Sequence, residues 1–207
     1  MKRMLPMRNE EFLRELRQSF PHAGTLHVKQ SALLVVDMQE YFRPMAGEIL
    51  PRLAELIATC HLMGVPVIYT QHSHQDSSRD GGMLAQWWGQ VILAGSFDAQ
   101  LMPEIAPLAE DKLVPKNRYS AFYKTDLEEH LHKLGVTDLL IGGVMTNLCC
   151  ETTARDAFVR DYRVFFLADG TATATQDFQR ASLTNLAFGF AYLVTCDQII
   201  RLLVGDE

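Results

Sequence analysis

Short uninterrupted apolar runs alternate along the chain with longer segments in which apolar residues recur every three or four positions. Runs of the first kind predict strands at 32–36, 65–69, 112–114, 139–141 and 164–167, with a weaker one at 191–194. They are continuous rather than alternating, as expected of strands covered on both faces. Segments of the second kind predict five helices, among them 49–63, 126–134, 147–160 and 178–190. Gly64 and Gly135 each end a helical pattern just before a strand, where a left-handed C-terminal cap is expected. Alternating strands and helices joined by right-handed crossovers predict an α/β fold, a doubly wound, mostly parallel sheet with helices on both faces. The stretch 71–107 has no clear period and is rich in Gly, Ser and Asp around Trp87 and Trp88. A connection this long inside a compact domain is usually functional, so it is a candidate active-site wall or subunit contact.

The length of 207 residues fits one domain over 1–207, with 1–28 as an N-terminal helical extension. Hydrophobic content of 48% and charged content of 21% are those of a globular protein. A net charge of -6 and no basic patch argue against nucleic acid or an anionic membrane as partner. The opening MKRMLPMRNEEFLRELRQSF starts basic but then mixes charge with apolar residues, unlike a signal or spanning helix, so a cytoplasmic location is expected. Cys60, Cys149, Cys150 and Cys196 are irregularly spaced and are read as thiols. No G-x-G-x-x-G follows a strand and no phosphate loop appears, so no cofactor is expected. The Trp87-Trp88 pair predicts a homo-oligomer, a dimer or tetramer, because exposed aromatic residues are enriched at interfaces.

In an open parallel sheet ligands bind beyond the carboxyl ends of the strands. Asp37 follows the first run, Gln71-His72-Ser73-His74 the second, Lys116 the third and 142–150 the fourth. A carboxylate, an ammonium group and a thiol thus converge on one edge. Singly, Asp37 reads equally well as a helix cap, whereas Lys116 reads better as a surface lysine and Cys149 better as buried filler. Jointly they read as a site. The segment GGVMTNLCCETTARDAF predicts a strand, a tight turn and a helix capped by Thr146 or Asn147, with both cysteines in its first turn. Helical spacing puts Cys150 with Ala154, Ala157 and Phe158 on an inward stripe and Cys149 with Thr153 and Asp156. The helix dipole and a nearby lysine are expected to lower the Cys149 pKa.

The blocks LLVVDMQEYF, VPKNRYSAF and GGVMTNLCCETTARDAF resemble the signatures of the isochorismatase-like cysteine hydrolases, in matching order across about 30–197. This superfamily includes nicotinamidases, N-carbamoylsarcosine amidases, ureidoacrylate amidohydrolases and isochorismatases. The resemblance implies a six-stranded sheet, catalytic Asp37 and Lys116, a nucleophilic Cys149, and a cis peptide at Val144-Met145 that turns a backbone N–H into an oxyanion hole. The N–H groups of Met145 and Cys149 are then the oxyanion donors.

Metal-binding nicotinamidases typically carry an Asp-x-His pair where this chain has His72-Ser73-His74, and no further His occurs before His130. That departure argues for a polar pocket wall without a metal, and against nicotinamide as substrate. NRYSAF and LAQWWG resemble isochorismatases that hydrolyse a vinyl ether, but those usually lack the cysteine. The expected activity is therefore hydrolysis of a C–N bond in a small amide or ureido compound through a thioester. The alternatives are vinyl-ether hydrolysis with Asp37 as general acid, and a non-catalytic binding protein. His72, His74, Trp88, Arg118, Tyr119 and Phe122, together with Trp87, are candidate substrate contacts, with packing as the competing role.

Overall fold

A computed structural model describes residues 9–20 and 22–205. The strands are β1 (Ser31–Val36), β2 (Val67–His72), β3 (Lys112–Lys116), β4 (Asp138–Val144), β5 (Arg163–Ala172) and β6 (Tyr192–Val194). The helices are α1 (Asn9–Ser19), α2 (Arg43–Ala46), α3 (Leu50–Leu62), α4 (Ser77–Asp80), α5 (Gly82–Trp88), α6 (Leu127–Lys133), α7 (Glu151–Phe158), α8 (Gln176–Gly189) and α9 (Cys196–Val204). All strand pairs are parallel in the order β3-β2-β1-β4-β5-β6, the doubly wound arrangement expected from the sequence.

Successive strand residues face opposite sides, and each side has its own core. Leu34, Val36, Ile68, Leu139, Ile141 and Phe166 pack with α1, α6, α7 and α8, whereas Leu33, Val35, Val67, Tyr69, Leu140 and Phe165 pack with α3 and α9. This is why the strand runs are apolar at every position. Gly64 and Gly135 adopt φ of 70° and 65°, the left-handed caps that the sequence predicts.

The N-terminal extension is helical only in part. Residues 1–8 lie outside the described residues, α1 ends at Ser19, and 22–27 run without regular structure before a single 3-10 turn at Val28–Gln30. The stretch 71–107 contains α4 and α5, too short to leave a periodic signal. Among the described residues no helix is long and apolar enough to cross a membrane.

Strand order reverses between the central strands β1 and β4, whose next strands, β2 and β5, lie on opposite sides, and the carboxyl ends of strands at such a switch point leave a crevice. The two backbones approach closely there. A Cβ on Gly143, at φ 118°, would lie 2.1 Å from the Val36 carbonyl oxygen, so only glycine permits the β1–β4 contact that sets Asp37 beside the 145–149 turn.

Candidate active site

Asp37 directly follows β1 and adopts φ 49°, a left-handed conformation that few non-glycine residues take. Thr70 on β2 holds it there, its Oγ1 accepting from the Asp37 N–H at 3.1 Å and donating to Asp37 Oδ1 at 2.6 Å. The other carboxylate oxygen, Oδ2, is 2.6 Å from Lys116 Nζ, and neither side chain is exposed to solvent. Lys116 is the last residue of β3, and its Nζ also donates to the Arg118 carbonyl at 3.0 Å and to Cys149 Sγ at 3.4 Å. The ammonium group therefore joins the carboxylate to the thiol, and its three donors are all used.

Cys149 lies in a π-turn at Thr146–Cys150 that leads into α7, so the turn replaces the regular helix start expected from the sequence. The Val144-Met145 peptide is cis. Within the turn the N–H groups of Leu148 and Cys150 both donate to the Met145 carbonyl, 3.1 Å each, while the N–H of Met145 itself has no backbone acceptor among the described residues. Cys150 is wholly buried against Ala154 and Ala157, as predicted. Phe158 departs from that stripe and is 47% exposed, because α7 ends with it and its ring turns to meet Phe190.

The charge state of the thiol also differs from the expectation. Burial is the largest influence and raises the Cys149 pKa. Lys116 pulls it down, but the charge of Asp37 and its hydrogen bond push it up again. The dipole argument fails because the sulfur is buried and a carboxylate stands beside it. Burial lowers the pKa of Lys116, yet the Asp37 and Cys149 charges outweigh it and the net direction is upward. The resting site is an Asp37–Lys116 ion pair beside a protonated thiol.

All four cysteines are buried, and burial raises every one, Cys60 to about 12. An unfolded chain releases these protons near pH 8.5–9, before the folded chain does, so it binds fewer protons above that pH and stability falls as pH rises. The raised Lys116 acts in the same direction above its ordinary range. Each thiol contributes a slope of at most about 1.4 kcal/mol per pH unit. Urea midpoints measured at pH 8 and pH 10 should fall steeply, and equal midpoints would show that the thiols already titrate in the folded state.

The remaining sequence candidates divide. His72 ends β2 beside the site, and burial followed by the Lys116 charge holds its pKa at about 4, so its ring is neutral. Arg118 and Tyr119 line a groove of about 340 Å³ with Met83, Leu84 and Trp87. Arg118 Nη1 bonds the carbonyls of Asp80 and Asn117, and the indole N–H of Trp88 donates to the Tyr119 hydroxyl at 2.8 Å, so both side chains fasten α4 and α5 to the loop after β3. His74 lies against His72 but is fastened to Asp80. It is wholly buried, its backbone bonds Ile92 and Ala94, and its Nδ1 is 3.1 Å from Asp80 Oδ1. Phe122 is likewise a core residue rather than a pocket residue: it stacks on Tyr162 at 5.9 Å, beneath Arg160, toward the amino-terminal edge of the sheet. The His72 and His74 rings are 5.1 Å apart between centroids, and among the described residues no group of three acidic, His or Cys side chains is arranged to hold a metal.

Three positioning residues were not anticipated. Thr70 is one. Gln39, wholly buried, accepts from the His72 N–H and donates to the His72 and Ala99 carbonyls, which ties the ends of β1 and β2 together. Thr153 Oγ1 accepts from the Ala121 N–H and fixes the loop after Lys116 to α7. A hydroxyl directly after an apolar run, as Thr70 is in VIYTQH, is the available signal.

A model of the isochorismatase domain matches residues 31–198. The chain is 50% identical over 181 residues to Nicotinamidase 3 of Arabidopsis thaliana, covering 86% of this chain and 91% of that one. Among solved structures, a cysteine hydrolase from Pseudomonas syringae pv. phaseolicola 1448A superposes with a TM-score of 0.84 at 28% identity, covering 89% of this chain and 97% of that one. An N-carbamoylsarcosine amidase from Thermoplasma acidophilum superposes with a TM-score of 0.73 at 28% identity, covering 81% and 97%. With the fold, the domain match and these relatives in agreement, the chain belongs to the isochorismatase family.

Proposed function

We propose that this protein hydrolyses the C–N bond of a small amide or ureido compound, with Cys149 as nucleophile. The observation that carries the reading is the buried bridge from Asp37 through Lys116 to Cys149, at 2.6 Å and 3.4 Å. As the sulfur bonds to the substrate carbonyl carbon, its proton passes to the Asp37 carboxylate and the carbonyl oxygen becomes an oxyanion. The N–H groups of Met145 and Cys149 are the donors that would receive that oxyanion, each worth about 3–4 kcal/mol in comparable sites. Collapse expels the nitrogen, which takes the proton from Asp37 and leaves a thioester. Water then gives a proton to Asp37 and attacks the thioester, and the acid leaves as the thiol regains its proton. Throughout, Lys116 holds the Asp37 side chain in place beside the sulfur. The raised thiol pKa suits this order of events, since the proton leaves sulfur only when the carbonyl is in place.

Nicotinamidase 3 and N-carbamoylsarcosine amidase are both amidases, which supports C–N rather than vinyl-ether hydrolysis. The His72-Ser73-His74 departure concerns a metal, not the thiol chemistry, so the similarity to Nicotinamidase 3 puts nicotinamide first among substrates to be tried. The exposed side chains of Met83, Trp87, Trp88 and Phe97 support a homo-oligomer, and the absence of a spanning helix among the described residues is compatible with a cytoplasmic enzyme. Purified protein should release ammonia from nicotinamide, N-carbamoylsarcosine or a ureido acid. Pyruvate from isochorismate with no ammonia from any amide would overturn the reading.

A further inference from the structure

The mechanism depends on two N–H groups in the 145–149 turn, yet no side chain of the turn's own N-cap, Met145, bonds to it. Its polar side chains reach sideways instead. Thr146, wholly buried, donates Oγ1 to Oε1 of Gln179 on α8 at 2.6 Å. The Gln179 Nε2 donates in turn toward the carbonyls of Ala168 and Thr171, 3.3 Å each, and toward Thr171 Oγ1 at 3.2 Å. These acceptors sit where β5 loses its regular pairing with β4, between Ile141 and Gly143. Asn147 makes a parallel tie, its Oδ1 accepting from Thr173 Oγ1 at 2.5 Å. A glutamine amide suits this place because one group both accepts from a hydroxyl and donates to carbonyls. A buried polar network with every member partnered favours a single geometry, and removal of one member leaves the rest unsatisfied.

We propose that Gln179 is a positioning residue: by holding Thr146 against the end of β5 it sets the turn so that the Met145 and Cys149 N–H groups converge on one oxyanion. The inference rests on the amidase reading of the site. The side-chain hydrogen bonds of Gln179 go to Thr146, Ala168 and Thr171 and not to the thiol, so its loss should weaken oxyanion binding without disarming the sulfur.

The test uses the intact protein and two probes of Cys149. Iodoacetamide alkylates the sulfur without forming an oxyanion at the site. Propionaldehyde adds the sulfur to its carbonyl carbon, the thiol proton leaving sulfur and the carbonyl oxygen becoming the hydroxyl or oxyanion of a thiohemiacetal. In Gln179→Leu, propionaldehyde should protect Cys149 from alkylation at least about tenfold less well, and kcat on an amide should fall by a similar factor with little change in KM. The alkylation rate without aldehyde should change less than threefold, roughly. Thr146→Val should reproduce the loss and Thr146→Ser should restore wild-type behaviour. If Gln179→Leu does not fold, the Thr146 pair decides the matter. Undiminished aldehyde protection in these variants, or a fall in Tm alone, overturns the inference. No protection in the wild-type protein overturns the thiol-addition reading itself and the inference with it.

Discussion

Replacing Cys149 with alanine lowers amide turnover by roughly four orders of magnitude or more, as expected when a covalent nucleophile is removed and its partners are left without a function. The loss should lie in kcat. Cys149→Ala removes one sulfur atom and leaves the Asp37–Lys116 ion pair in place, so the fold and substrate binding should persist. Cys150→Ala is the control. That side chain is wholly buried beside Ala154 and Ala157, so its truncation should reduce stability by about 1–2 kcal/mol while leaving kcat within a few-fold of wild type. Steady-state kinetics on an amide with ammonia detection, alongside urea unfolding, separates the two. Equal losses from both substitutions would mean that the turn had been damaged rather than its chemistry.

The second large effect concerns Lys116. Its side chain and that of Asp37 are both shut off from solvent. Lys116→Met keeps much of the volume but leaves a buried carboxylate without its cation, at a cost of about 3–5 kcal/mol, and it also removes the group that orients Asp37 toward the sulfur. Both stability and activity should fall. A lysine acting only as a surface residue would cost less than about 0.5 kcal/mol, so urea titration alone distinguishes the two cases.

How far the sequence leads can be judged from individual elements. The runs 32–36 and 139–141 are apolar at every position because both faces of β1 and β4 are covered, and that alone points to a parallel sheet. The sheet's carboxyl edge then brings Asp37, Lys116 and Cys149 to one place, and the structure joins them through a single ammonium group. Thr70, Gln39 and Gln179 were not legible, because a polar residue that bonds inside a core leaves no period and its partners are distant in sequence. The π-turn was hidden for another reason. Thr146–Cys150 has a composition that any helix start tolerates, and the change of hydrogen-bond register is a backbone property. Nearness to Lys116 along the chain does not bring Phe122 to the site, because packing turns it toward Tyr162, and His74, though its ring is 5.1 Å from that of His72, is bonded to Asp80. The Cys149 pKa went astray because desolvation depends on enclosure, which no local pattern records.

The central claim is that Cys149 carries the acyl group of the substrate as a thioester. Rapid acid quench of the enzyme during turnover of an amide, followed by peptide mass spectrometry, tests it directly. The account predicts an added acyl mass on the peptide containing Cys149, located on that residue and absent in Cys149→Ala, at a level that rises within the first turnover. Sustained ammonia release with the Cys149 peptide unmodified at every quench time would contradict it.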